Sequence, residues 1–410
     1  MKIKLYSVIY FLNSYLSGLL VPVLSLLLIE KGASLSNLSI ILGLYALTVV
    51  TLELPTGIMA DIIGRKKTFC ISLIFSAASF VFILFGQGLV VLCVGMMIYG
   101  LNRALASGSF DALFIDSYIN AFGKEKLHNI TTRLSVLEAT GLLAGAISGG
   151  YLPKFSANYL PNLGAYDLNL IIRILLTVIV FIMAMLFITE TSNEENHERI
   201  SIKQHIKNSS SFLLKNSTVI CIFISVFSTG FFLSALETYW QPHFISMLPD
   251  KSMTSLLGLV AFLYLLAAVL GSVTSNKLIK KFKFNSNKMY LILRLMLSVS
   301  LVLTALQTKV PSFIALYASI YLLFGMANIP EGVILNNEIP NEIRASVLSV
   351  HSFMLQIGGL AGSLLYSFII NFISIPHIWM LAAFVVLITV AIIFRKFYYH
   401  STESLITSHK

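Results

Sequence analysis

The chain has 410 residues, of which 57% are hydrophobic and only 11% charged, against about 25% charged in an ordinary soluble domain. That balance excludes a soluble globular protein and makes the bilayer the solvent. The formal net charge of +10 would suit a nucleic-acid binder, but the bases stand singly between apolar runs instead of along one solvated face, which argues against that partner.

A membrane-crossing helix consumes about 20 residues, and apolar runs of that length follow one another along the chain. The first, 5–29, comes after Lys2 and Lys4; it is too long for a signal peptide and lacks a small-residue cleavage site, so it is expected to be a retained helix. Runs at 37–60, 68–87, 89–118, 133–153 and 165–189 follow. A polar stretch from Glu190 to Ser211 then reads as a cytoplasmic linker, with its limits at 190–217. Beyond it lie 218–247, 254–274, 289–306, 311–336, 345–370 and 375–397. The runs are continuous and about twice as long as the alternating strands of a membrane barrel. The expected fold is therefore an all-α membrane protein with twelve transmembrane helices in two pseudo-symmetric six-helix bundles, 1–189 and 218–410. A faint repeat agrees: "RLSVL" at 133–137 returns as "RASVL" at 344–348, each opening the fifth helix of its half. Paired bundles of this kind build many secondary transporters.

With the N-terminus inside the cell, the outer loops hold only Lys31, Lys154, Lys251 and Lys309, while bases such as Arg65, Lys66, Lys67, Lys203 and Lys280 fall on the inner side. The positive-inside rule then places both termini in the cytoplasm, in a multi-pass cell-membrane protein. Cys70, Cys93 and Cys221 lie inside apolar runs, with no paired spacing for a disulfide framework or a metal.

Between the second and third helices stands "GIMADIIGRKK", Gly57 to Lys67. Its Gly-x-x-x-Asp-x-x-Gly-Arg-Lys spacing resembles the signature loop of the major facilitator superfamily. Gly57 is expected to permit close helix packing and Gly64 a tight turn, both suited to a residue without a Cβ. The resemblance implies that Asp61 docks onto the cytoplasmic end of the eleventh helix in the outward-facing state. It also implies that Arg65, beside Lys66, pairs with a carboxylate ending the fourth helix, where Asp116 stands. "GLLAGAISGG" in the fifth helix, with Gly141, Gly145, Gly149 and Gly150, resembles the antiporter motif Gly-x-x-x-Gly-Pro-x-x-Gly-Gly, with Ala146 in place of its proline. Arg103, followed by Ser107-Gly108, resembles the buried arginine of another family motif. The spacing of Glu53, Pro55, Asp61, Arg65 and Lys66 looks like the variant in some tetracycline and multidrug exporters of Gram-positive bacteria, which makes Glu53 a proton-carrier candidate, with a snorkelling carboxylate or an ion-pair partner as the alternative.

An ionisable group near the bilayer centre costs roughly 2.5–3.5 kcal/mol on insertion scales and needs a partner or a water-filled cavity. Ionisable groups within the apolar runs are few: Arg103, Asp111, Asp116, Glu138, Arg173, Glu237, Arg294 and Glu331, of which Asp116 and Arg294 lie nearer the cytoplasm and read as structural. Asp111 follows Arg103 by a little over two helical turns, on approximately the same face. A deep arginine facing carboxylates can hold a proton-coupled pair, which makes Asp111 and Glu138 the leading coupling candidates; a permanent ion-pair network is the alternative. Glu237 is a candidate for recognising a cationic substrate. Glu331, next to Pro330, is a candidate for substrate contact or a gating bend. Tyr10, Asn13 and Ser17 recur at helical spacing as one polar stripe that lines a cavity or hydrogen-bonds a neighbouring helix.

There is no phosphate-binding loop for ATP, no HExxH motif and no soluble catalytic domain. The expectation is a monomeric carrier, not an enzyme, without cofactor or metal, whose partners are protons, a small-molecule substrate and the lipid bilayer. Proton-coupled export of amphipathic drugs leads. An uptake symporter for a metabolite and a non-transporting sensor of the same fold remain as alternatives.

Overall fold

The computed structural model describes residues 2–107, 109–123, 125, 127–189, 216–282, 284–340 and 343–407. The expected linker, apart from its last two residues, lies outside them. Among the described residues the secondary structure is helical, without strands. The α-helices are α1 (Lys2–Gly18), α2 (Leu24–Glu30), α3 (Leu35–Ile63), α4 (Arg65–Phe85), α5 (Leu89–Ala106), α6 (Ser109–Phe122), α7 (Leu127–Tyr159) and α8 (Asp167–Phe187). They continue with α9 (Ser217–Met247), α10 (Leu256–Phe282), α11 (Ser286–Ala305), α12 (Val310–Glu338), α13 (Arg344–Ile369) and α14 (Ile375–Thr407), and a 3-10 turn at Lys251–Ser255 precedes α10. Eleven helical spans among the described residues are long and apolar enough to cross a membrane.

The twelfth run is the first one, and it is broken. The sequence reads 5–29 as one helix, but residues 19–23 form turns that separate α1 from α2. Pro22 is the local cause, because it brings no N–H and its ring clashes with the carbonyl four residues back. Local backbone bonds such as Val23 N–H to the Leu20 carbonyl hold the turn, and Gln241 adds two from a distance: the Ser25 N–H donates to Gln241 Oε1 and Gln241 Nε2 donates to the Val21 carbonyl, both at 2.8 Å. The run 89–118 is also divided, at Ser107, where an extended ψ of 122° ends α5 before α6 begins.

Contacts gather the chain into two compact units, Met1–Asn193 with Thr238–Leu265, and Glu194–Glu237 with Leu266–Lys410. In the first unit, Tyr6, Ile9, Phe69, Phe110 and Phe114 form part of a buried cluster, with the Phe69 and Phe110 rings stacked at 4.4 Å. The glycines of the fifth-helix motif pack α7 against α1. A Cβ on Gly141 would lie 2.6 Å from the Phe11 carbonyl oxygen, Gly145 faces the Tyr15 carbonyl and Gly149 the Leu19 carbonyl. Such small-residue seams let membrane helices approach backbone to backbone. Gly150 instead meets the backbone of Gly258 at the start of α10.

In the second unit, Arg294 on α11 is fully buried. It donates to Thr229 Oγ1 at 2.7 Å, to the Ser225 carbonyl at 3.0 Å and to Ser228 Oγ, all on α9. Trp379 on α14 donates its indole N–H to the Ala235 carbonyl at 3.2 Å.

Candidate functional site

The break at Ser107 starts a new helix beside a cavity. Asp111 falls in the first turn of α6, where free backbone N–H groups present the positive end of the helix dipole. The cavity, of about 340 Å³, is lined from α1 by Tyr10, Asn13, Ser14 and Ser17, from α5 by Tyr99 and Arg103, from α6 by Asp111, and from α7 by Glu138 and Leu142. Tyr45 and Phe69 complete the wall from α3 and α4. The polar stripe Tyr10, Asn13 and Ser17 and the charged Arg103, Asp111 and Glu138, all singled out in the sequence, therefore meet in one place. The Tyr10 hydroxyl lies in electrostatic reach of Asp111, and Asp111, Glu138 and Arg103 act on one another electrostatically. All three charged residues are exposed.

Glu53 lies on α3, one hydrogen bond from this cavity, accepting from Ser107 Oγ at 3.1 Å. Ser107 itself is a lining residue, so the break between α5 and α6 links the two. Tyr45 and Tyr99 stack at 5.2 Å. Behind them Arg173 on α8 is buried, donating to the Tyr99 hydroxyl at 3.1 Å and to the Leu16 carbonyl, with its guanidinium 4.3 Å from the Phe80 ring centre. Arg173 thus fixes a cavity wall without entering the cavity. Neither tyrosine carries a sequence signal, since aromatic residues in an apolar run are ordinary in a bilayer.

The remaining candidates are placed elsewhere. Glu237 is on α9 in the second unit, exposed and in electrostatic reach of Tyr321. Glu331 on α12 accepts from the Tyr290 hydroxyl at 2.6 Å and lies 2.9 Å from His351 Nε2. In the signature loop, Gly64 joins α3 to α4 at φ 101°, the left-handed region that favours glycine. Arg65 Nη1 donates to Asp116 Oδ2 and Lys66 Nζ donates to the Met185 carbonyl at 2.8 Å. The Asp61 side chain lies outside the described residues. Close packing at Gly57 is not found: among the described residues a Cβ there would meet nothing within 4 Å, because this face of α3 is exposed.

Among the described residues no group of three or more His, Cys, Asp or Glu is arranged to hold a metal ion. What the cavity offers is proton and cation chemistry: two carboxylates, one guanidinium and a ring of hydroxyls.

Apolar membrane spans around a charged, open cavity define a multi-pass membrane protein of the carrier class. The sequence comparisons make this specific: residues 6–249 match the profile of the Major Facilitator Superfamily, and the chain belongs to that family. An uncharacterized MFS-type transporter, YxaM of Bacillus subtilis (strain 168), is 26% identical over 380 residues, covering 91% of this chain and 90% of its own. The quinolone resistance protein NorA of Staphylococcus aureus is 27% identical over 140 residues, 34% of this chain and 35% of its own. Among solved structures, the nucleoside transporter NupG superposes with a TM-score of 0.80 at 14% identity, covering 97% of this chain and 99% of that one. A bacterial homologue of the lysosomal transporter Spinster, in an inward-facing and unoccupied conformation, gives 0.73 at 12% identity, over 99% and 97%. At these identities the structures speak for the fold, which is that of the major facilitator transporters.

Proposed function

We propose that this chain is a proton-coupled secondary transporter that exports amphipathic drugs or related small molecules by alternating access. The observation that carries this reading is the meeting of Arg103, Asp111 and Glu138 at one cavity. Two carboxylates against one guanidinium leave one negative charge without a fixed partner. A proton or a cationic substrate can neutralise it, and either one removes the electrostatic reason for the other to stay. Mutual exclusion of that kind is the requirement for antiport.

Asp111 and Glu138 are the coupling groups in this reading, and Glu53 exchanges protons with them through Ser107. Tyr10 and Asn13 orient the substrate. Glu237 recognises cationic groups, and Glu331 acts in substrate contact or gating beside Pro330. Gly57, Asp61, Gly64, Arg65, Lys66 and Asp116 form the gating loop. The protein performs no covalent chemistry and works as a monomer in the cell membrane with both termini cytoplasmic. The partial likeness to a quinolone resistance protein supports export over uptake.

Cellular accumulation of tetraphenylphosphonium and of tetracycline tests the proposal. Expression of the wild type is expected to lower accumulation of at least one of them, with the difference abolished by an uncoupler and by Glu138→Gln. Equal accumulation of both with and without the protein would overturn drug export.

A further inference from the structure

The second unit holds a cluster of titratable side chains that the cavity of the first unit does not use. Glu331 on α12 has both carboxylate oxygens engaged: Oε1 lies 2.9 Å from His351 Nε2 on α13, and Oε2 accepts from the Tyr290 hydroxyl on α11 at 2.6 Å. The Tyr290 hydroxyl is also 2.8 Å from Ser225 Oγ on α9. Four helices thus contribute to one hydrogen-bonded chain. The Glu331 and His351 side chains keep 12% and 25% of their surface accessible, so the pair is shielded without being sealed.

The chain of groups is satisfied in two proton states. A tyrosine hydroxyl has one proton, so when Tyr290 donates to an ionised Glu331, Ser225 donates to Tyr290 in turn. When Glu331 carries the proton, it can donate to the imidazole or to the phenol oxygen, and Tyr290 is free to donate to Ser225. In both states Glu331 and Tyr290 keep hydrogen-bond partners, which favours reversible occupancy. A permanent structural ion pair would be served by Arg or Lys, whereas histidine is the side chain whose ordinary titration range spans physiological pH.

The charged groups on the surrounding helices include Arg294, which is in electrostatic reach of Tyr290, Lys288 on α11, and Arg395 and Lys396 on α14. On α11, Arg294 is held by Thr229, Ser228 and the Ser225 carbonyl. About two turns along α12, Glu338 accepts from Asn216 Nδ2 at 2.9 Å. Arg344 opens α13 about two turns before His351, and α14 presents the Phe397 ring, 6.1 Å from that of Tyr290. Pro330, immediately before Glu331, removes one hydrogen bond from α12 and weakens the helix where the proton would sit.

We propose that Glu331 and His351 share a titrating proton and form a second proton-binding site of this protein, with Tyr290 and Ser225 as its relay. Its purpose rests on the proton-coupled reading given above: occupancy changes the tie between α12 and α13 beside a weakened turn, so the second unit responds to protons independently of Asp111 and Glu138.

pH-difference infrared spectroscopy of the purified, reconstituted full chain tests the site without any substrate. The wild type is expected to show a carboxyl component that loses its proton as pH rises. Glu331→Gln should delete that component, His351→Asn should move its midpoint, the volume-conserving Tyr290→Phe should alter its frequency, and Glu138→Gln should leave it in place. Identical titrations of wild type and Glu331→Gln would overturn the proposal, as would an unchanged midpoint in His351→Asn. Failure of gradient-driven transport with the Glu331 component present would sink the coupling reading and support the site, so the two are separable.

Discussion

The seam between α1 and α7 makes a quantitative prediction through Gly141→Ala. A Cβ there would lie 2.6 Å from the Phe11 carbonyl oxygen, 2.8 Å from Ser14 Cβ and 3.0 Å from the Tyr15 nitrogen. Two of these neighbours are backbone atoms that no rotamer change can move, so the helices must part by something under about 1 Å to restore van der Waals distance. Overpacking of this kind costs roughly 1–3 kcal/mol. Replacing glycine by alanine inside a helix also brings a propensity gain of up to about 1 kcal/mol, and Gly57→Ala is the control that isolates it. Gly57 also sits in a helix, but a Cβ there meets nothing within 4 Å. The propensity gain is common to both variants, so Gly141→Ala should be less stable than Gly57→Ala by about 1–3 kcal/mol. Thermal unfolding of the purified variants in one detergent reads the difference. Equal melting temperatures, or a greater loss in Gly57→Ala, would refute the packing account. Because Ser14 lines the cavity and Glu138 lies one turn before Gly141 on α7, the same variant should also weaken substrate handling.

Gln241→Leu removes both hydrogen bonds that satisfy the break between α1 and α2. The expected cost is about 1–3 kcal/mol for each backbone group left unsatisfied, and hydrogen exchange should quicken at the Ser25 amide; unchanged exchange there would show that the break holds itself. Asp116→Asn is expected to behave oppositely. The Arg65–Asp116 pair is 32% and 50% accessible, and exposed pairs contribute only about 0.2–1 kcal/mol. Melting should therefore hardly change, while transport falls if the loop gates the cycle; a large stability loss would make the pair structural instead.

The helical runs were legible because span length and apolar continuity are local properties. The two breaks were not, for different reasons. Pro22 sits in a run that reads as continuous, and proline is tolerated in membrane helices when neighbours re-satisfy the backbone; the neighbour is Gln241, far along the chain. At Ser107 the small residues were visible as a motif, but nothing local showed that α6 begins anew and places Asp111 in its first turn. The sequence placed Arg103 and Asp111 on one face by counting turns of an unbroken helix. They do meet at one cavity, though across the break. Glu138 was visible as a lone intramembrane acid, whereas Tyr45 and Tyr99, which line the same cavity, carried no pattern. His351 stands alone in "SVHSF", and only the packing of α13 on α12 brings it to Glu331. Gly57 has no close neighbour within 4 Å among the described residues, whereas Gly141, Gly145, Gly149 and Gly150 of the fifth-helix motif do pack against backbone.

Transport by purified protein in liposomes, driven by an imposed pH gradient, tests the central claim most directly. Inside-out orientation with an acidic lumen should let the wild type accumulate tetraphenylphosphonium or tetracycline. Accumulation should collapse with an uncoupler, disappear in Asp111→Asn or Glu138→Gln, and survive in Asn371→Ala, a substitution at an exposed position outside the proposed machinery. Accumulation that ignores the gradient, or that persists undiminished in both carboxylate variants, would contradict proton-coupled export through this cavity.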